Sequence, residues 1–281
     1  MKLSKDIFFE KPSRLERLYS VDFLRGIAAL LVCLFHFTNG NSHFLDHGNW
    51  LKQIGSIGWT SVEIFFILSG FIIPYSLDRS HYHYKTFKHF MLKRLLRIEP
   101  PYLAAIFFVL AVNYLGTLSP YYRGEDFNIN YFNLLLHLGY LNGFFGHGWL
   151  NPVFWTLAIE FQFYLLMELL FPMLHRTKKY VQISILVLLL VSAYFIKSAG
   201  FIFHFLPYFI LGIILYFRKI KQWSTKLSTF AELSLIVIIW FTFSRVEFYA
   251  STFTWLILLL VQNRKKRPNL HGWVKYHTLS I

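Results

Sequence analysis

The stretch Phe23-Leu-Arg-Gly-Ile-Ala-Ala-Leu-Leu-Val-Cys-Leu-Phe-His-Phe37 decides the fold class. It reads as a membrane span close to the N-terminus, and it carries two ionisable residues, Arg25 and His36. Ionisable side chains inside a span are costly and mark substrate paths, proton relays or catalytic sites. Eleven residues at roughly 100° each make about three turns, so Arg25 and His36 share one helix face, ~16 Å apart along the axis. A charged and a titratable group on one face imply a polar interior to whatever bundle this helix joins.

The rest of the chain extends that reading. Of its 281 residues 56% are hydrophobic and 20% aromatic, while only 15% are charged; the mean hydropathy is +0.45. A soluble domain of this size carries more charge. The composition predicts an all-α, polytopic transmembrane helical bundle. Apolar runs long enough to span, or nearly so, fall at about 21–38, 56–77, 100–118, 153–174, 181–199, 201–217, 229–247 and 250–262. That makes about eight spans. Segment 132–146 is apolar but short and interrupted by Asn142-Gly143, so it is read as re-entrant or interfacial. Pro74 is expected to end the second span, Pro100-Pro101 to open the third and Asn151-Pro152 to open the fourth. No repeat, low-complexity tract or long linker divides the chain, which reads as one domain over 1–281.

The net charge of +14 does not point to nucleic acid, because the basic residues are segregated. Of 28 Lys and Arg, 23 fall in five segments, 1–20, 78–97, 175–180, 218–226 and 263–275. Eight spans place all five on one side, the positive-inside pattern, with the N-terminus in the cytoplasm. Loops 39–55 and 119–152 then face outward. The basic face suits lipid headgroups or a phosphorylated cofactor. The single cysteine, Cys33, excludes an intramolecular disulfide and a Cys-based metal cluster. No small-residue cleavage site follows the first apolar run, so it reads as a retained anchor.

Six residues are candidates for chemistry. His36 suits a general base for an incoming hydroxyl; its bland alternative is helix packing. Arg25 suits an anion or carboxylate, against pairing with Asp22 or snorkelling. Glu63 and Glu160 lie near the outer ends of their spans, as His36 does, and the three are expected to converge on one polar pocket. Arg94 and Arg97, three apart on one helix face, suit a phosphate or pyrophosphate, though topology alone also explains their charge. No Gly-rich phosphate loop, His-Glu-x-x-His or Gly-x-Ser-x-Gly elbow is present, and no histidine spacing suggests a metal site.

Four segments, in order, resemble the acyltransferase-3 family of integral membrane O-acyltransferases. Phe23-Leu-Arg-Gly-Ile-Ala-Ala followed by His36 is similar to its first helix. Ser61-Val-Glu-Ile-Phe-Phe-Ile-Leu-Ser-Gly-Phe71 resembles its acidic-x-Phe-Phe-x-x-Ser-Gly-Phe motif. Arg94-x-x-Arg97-Ile-x-Pro-x-Tyr102 resembles its paired-arginine motif. Trp155-Thr-Leu-Ala-Ile-Glu160-Phe-Gln-Phe-Tyr164 looks like its Trp-Ser/Thr-Leu-x-x-Glu-x-Gln-Phe-Tyr motif. The motifs cover about 20–165.

The resemblance implies transfer of an acyl group, most often acetyl, from cytoplasmic acyl-CoA (acetyl-CoA) to a hydroxyl of an envelope saccharide or lipid-linked glycan at the inner membrane. The donor is a substrate, and no tightly bound cofactor is implied. Arg94, Arg97 and Arg25 would hold the donor's phosphates and His36 would activate the hydroxyl. Glu160 or Glu63 would orient the histidine or bind sugar hydroxyls. Ser69 is a weaker candidate, since Leu68-Ser69-Gly70 also suits close helix packing. Two departures stand out: Phe161 occupies a position commonly held by a second glutamate, and the family usually has about ten spans. The second implies a version shortened at its C-terminal end. Two other readings stay open, a transporter or flippase for a glycan or anionic substrate, and an inactive truncated homologue.

Overall fold

The computed structural model describes residues 19–40, 44–46, 48–122 and 127–263. The basic segments 1–18 and 264–275, the run to Ile281, His43, His47 and Arg123 lie outside these.

Eleven α-helices follow one another: α1 (Tyr19–Asn39), α2 (Trp50–Ser56), α3 (Ser61–Arg79), α4 (Phe87–Thr117), α5 (Tyr131–Leu138), α6 (Asn142–Phe145), α7 (Phe154–Arg176), α8 (Lys179–Phe195), α9 (Leu206–Lys219), α10 (Thr225–Thr242) and α11 (Arg245–Asn263). Short 3-10 turns lead into α3, α4 and α9. No strand occurs among the described residues. The protein is an all-α helical bundle, and among the described residues six helical segments are long and apolar enough to cross a membrane. Each apolar run of the sequence has become a helix. Of the eight, α8 is 17 residues long and α11 begins on the charged residues Arg245 and Glu247.

The prolines correct the expected boundaries. Pro74 lies inside α3, and α4 runs unbroken from Phe87 through Pro100 and Pro101. A proline inside a helix removes an N–H donor, which membrane helices tolerate when their surroundings satisfy the freed carbonyls. The basic residues 88–97 therefore form the first turns of the third long helix instead of a loop before it. Asn151-Pro152 does precede a helix, α7.

The bundle is organised around α3 and α9, whose backbones touch. A Cβ on Gly70 would lie 2.2 Å from Phe209 O, and one on Gly212 2.2 Å from Ile67 O. Small residues at this crossing let the two helices approach as membrane helices do where no hydrophobic force separates helix from lipid. Phe66, Phe163, Phe205 and Phe209 fill the space beside the crossing, Phe163 stacking on Phe209 at 4.0 Å. At the end bearing the basic loops, Arg218 makes a two-pronged bond to Glu232 (2.9 and 2.7 Å), and Trp255 Nε1 donates to the same carboxylate at 3.0 Å. One buried carboxylate thus ties α9, α10 and α11.

Segment 132–146 forms the α5–α6 hairpin, and neither helix is long enough to span. Tyr102, 15 residues before the end of α4, donates its hydroxyl to His137 O at 3.1 Å. The hairpin therefore lies alongside α4, as a re-entrant element would. His137 is fully buried and locks it: Leu150 N–H donates to Nε2 at 2.9 Å, which leaves Nδ1–H facing Asn133 O at 2.8 Å. Burial holds the imidazole below its ordinary range. A proton on Nε2 would set two N–H groups face to face. Because the folded value is depressed, stability is complete above the unfolded value of about 6.5 and falls as pH drops through it. Protection factors of amides 139–150 are expected to fall below about pH 6, and to be lower in His137→Ala at every pH. Unchanged protection in both would remove His137 as the lock.

Candidate functional site

Glu160 gathers residues from three helices. Its Oε1 accepts from Tyr164 OH at 2.7 Å and from Ser69 Oγ at 3.2 Å, and lies 3.9 Å from Arg25 Nη2. Ser69 and Tyr164 are buried, whereas the Glu160 and Arg25 side chains keep 23% and 32% of their surface. This is a partly open ion pair whose carboxylate is oriented by two hydroxyl donors. The geometry follows from local sequence: Glu160 and Tyr164 are four apart on one face of α7. Ser69 reaches them because the glycine beside it lets α3 pack against the bundle centre.

Arg94 joins from α4. Its guanidinium sits 5.3 Å over the Tyr164 ring and 4.9 Å over Phe90, and Nη2 donates to Ser76 Oγ at 3.1 Å. That bond uses one of the guanidinium's several N–H donors, leaving a donor-rich group beside Tyr164. Arg97, three residues on, is exposed. The paired arginines are thus divided, one turned into the bundle and one outward.

Arg25, Glu160 and Arg94 come together, with Arg94 within electrostatic range of both others. His36 and Glu63 do not join them through any described contact. His36 is half-buried, ~16 Å further along α1 than Arg25. There Gly55 and Gly58 press the 50–60 segment onto α1, against Thr38 and Leu31 O. Glu63 is buried in the first turn of α3, its Oε2 without a hydrogen-bond partner among the described residues, and its electrostatic neighbours are Glu247 and Tyr208. The expected convergence of His36, Glu63 and Glu160 on one pocket is absent among the described residues.

Three further residues belong to the site's surroundings. Tyr164 and Ser76 hold Glu160 and Arg94. Glu168, fully buried with both carboxylate oxygens unpartnered among the described residues, lies one turn beyond Tyr164 and within the field of Arg94. The four-residue spacing of Glu160, Tyr164 and Glu168 is the sequence signal that places all three on one face. Phe161 stacks on Tyr140 at 4.9 Å. Gln162 clamps the turn before α9, donating to Gly200 O and accepting from Ile202 N.

The polar cluster draws residues from all four motifs into one place in an apolar helical bundle, and comparison gives the family. The profile described as an acyltransferase domain matches residues 18–276, and the chain belongs to this acyltransferase-3 family. It is similar to O-acetyltransferase OatA of Staphylococcus aureus, with 30% identity over 59% of this chain and 28% of OatA. It also resembles a provisionally named acetyltransferase, ORF330, of Acidianus two-tailed virus (27% identity, 77% of this chain, 63% of that protein). A provisionally named membrane-bound transacylase, BcsY, of Komagataeibacter xylinus is 28% identical over 69% of this chain and 45% of its own length. The chain thus spans between about a quarter and two thirds of these relatives. No solved structure matches.

Proposed function

We propose that this chain is an integral membrane O-acyltransferase that moves an acyl group, acetyl in the simplest case, from acyl-coenzyme A to a hydroxyl of an envelope saccharide. The observation that carries this is the Arg25–Glu160 pair, oriented by Ser69 and Tyr164, with Arg94 and its unused N–H donors beside it. An arginine fixed by a carboxylate, next to a second with further N–H donors, suits the anionic donor, whose acyl end would extend along α1 toward His36.

In the proposed reaction the acceptor oxygen attacks the thioester carbonyl, the C–S bond breaks, and the hydroxyl proton leaves with the thiol. His36 takes that proton and returns it to the thiolate. The basic end of the bundle faces the cytoplasm and the inner membrane carries the protein, so donor and acceptor approach from opposite ends. Names of the relatives support the acyl-transfer chemistry; the saccharide acceptor and coenzyme A donor are this reading's own.

Acetyl-sized mass increments on envelope glycan are expected in cells carrying the gene and not in cells lacking it. In sealed vesicles, only those with the basic face outward should consume added acetyl-coenzyme A. Consumption by vesicles of the other orientation would reverse the topology.

A further inference from the structure

The last turns of α3 and α7 and the turn after α3 enclose a cavity of about 320 Å³ at the basic end, lined by Asp78, His81, Tyr82, Phe171, His175 and Arg176. None of these residues takes part in the Glu160 cluster. Phe171 and Tyr82 are buried and only close the back of the cavity, so the groups it presents are polar. His175 Nε2 lies 3.4 Å from Asp78 Oδ1, and its Nδ1 lies 3.2 Å from Tyr216 OH, which fixes the ring between carboxylate and phenol. Asp78 still keeps 27% of its side-chain surface, and His81 and Arg176 are exposed. An accessible carboxylate and an accessible guanidinium thus share one small cavity, which suits a ligand that carries a charge of each sign.

The sequence of α7 explains how the walls are fixed. Pro172 lies inside α7 and lacks the N–H that would bond to Glu168 O. Tyr82 OH donates to that carbonyl instead, at 3.0 Å, and Tyr84 OH donates to Leu169 O at 2.9 Å. Two tyrosines therefore pin the turn after α3 against α7. Tyr84 is itself exposed, an amphipathic ring of the kind that sits at the membrane interface. Arg176 also ends an apolar stripe. Met173 and Leu169, three and seven residues before it on the same face of α7, are 46% and 56% exposed. They reach ~10 Å from Arg176 toward the middle of the bundle. A polar cavity at headgroup depth thus adjoins a surface for acyl chains.

We infer that this cavity binds the headgroup of a phospholipid bearing a primary amine, its phosphate on Arg176 and His81, its ammonium on Asp78, and its acyl chains against Met173 and Leu169. Arginine offers paired N–H donors to phosphate oxygens, and a carboxylate accepts the ammonium's N–H bonds. A glycerol headgroup brings no cation to Asp78, and the choline nitrogen has no N–H to donate. Basic pockets between membrane helices hold lipid headgroups elsewhere. Because the walls come from both α3 and α7, a bound headgroup ties the two helix ends together. The inference needs only the bundle's place in a membrane and is independent of the acyl-transfer reading.

Native mass spectrometry of the purified, delipidated full chain in micelles tests it, with phosphatidylethanolamine, phosphatidylglycerol and phosphatidylcholine of identical acyl chains as the added lipids. The wild type is expected to bind the ethanolamine lipid about tenfold more tightly than either of the others, the size of one charge-assisted hydrogen bond. Asp78→Asn should bring the ethanolamine-to-glycerol ratio close to one, and a ratio taken within one variant is insensitive to lost stability. Arg176→Gln should weaken all three lipids about tenfold. His81→Gly separates ligand from fold: His81 ends α3 at a left-handed φ of 49, which glycine adopts without strain. That variant should melt no lower than wild type yet hold the lipid less tightly. Equal affinity for the three lipids, an unchanged ratio in Asp78→Asn, or wild-type binding in Arg176→Gln or His81→Gly would each overturn the assignment. Soluble phosphoethanolamine binding as tightly as the lipid would overturn the lipid as occupant.

Discussion

Glu160→Gln is expected to lower acyl transfer by about 10²–10³-fold while the protein stays folded. Glutamine keeps an oxygen for Tyr164 and Ser69 to donate to, so the local packing survives, but it removes the charge that fixes Arg25 at 3.9 Å. Removing one partner of a charge pair that holds an anionic ligand costs about 3–4 kcal/mol, because the arginine is left unfixed. The effect on stability should be much smaller, because both partners are partly solvated and such pairs contribute little to folding. Tyr164→Phe, which removes one of two donors to the carboxylate and keeps the ring under Arg94, should cost about tenfold, the order of one net hydrogen bond. Turnover and melting temperature of the two variants, measured on the same preparations, check both. A Glu160→Gln enzyme within threefold of wild type would take Glu160 out of the site.

Gly212→Val should abolish accumulation of folded protein in the membrane. A Cβ at this position would lie 2.2 Å from Ile67 O and 2.6 Å from Phe71 N, backbone atoms of the facing helix that no rotamer change can move. Overpacking a fitted core costs typically 1–3 kcal/mol even where side chains give way. Here α3 and α9 must separate, and with α3 goes Ser69, so any surviving protein should also lose activity. Gly26→Ala is the control, since nothing lies within 4 Å of its Cβ position. Mid-helix alanine is favoured over glycine by about 1 kcal/mol, so that variant should melt no lower than wild type. Detergent-solubilised yield and melting temperature distinguish the two; a Gly212→Val protein as stable as Gly26→Ala would contradict the crossing.

The helices were legible because their signal is bulk transfer free energy, which a run of apolar residues carries regardless of partners. Their ends were less so. Pro74, Pro100 and Pro101 are strong breakers in water, yet they sit inside α3 and α4, as prolines in membrane helices can. Arg25 and Glu160 could be singled out as ionisable residues inside spans, and their contact closes the loop from motif to site. Which carboxylate faces which cation was not readable, because it depends on helix rotation and crossing. Glu63 looks equivalent to Glu160 by depth, but α3 turns Ser69 toward Glu160 and leaves Glu63 near Tyr208 and Glu247. Tyr164 was visible in a motif but was not singled out for a site, since a tyrosine in a span also suits plain packing. The cavity around Asp78 and His175 was beyond reach for another reason: its walls come from segments almost a hundred residues apart, and only the folded ends of α3 and α7 bring them together.

The most direct test of the account is transfer of label from acetyl-coenzyme A to envelope glycan in membranes carrying wild type or His36→Ala at equal expression. The account predicts base-labile label with the wild type and none with the variant, since His36 is the group assigned to take the acceptor's proton. Equal label in both would contradict it.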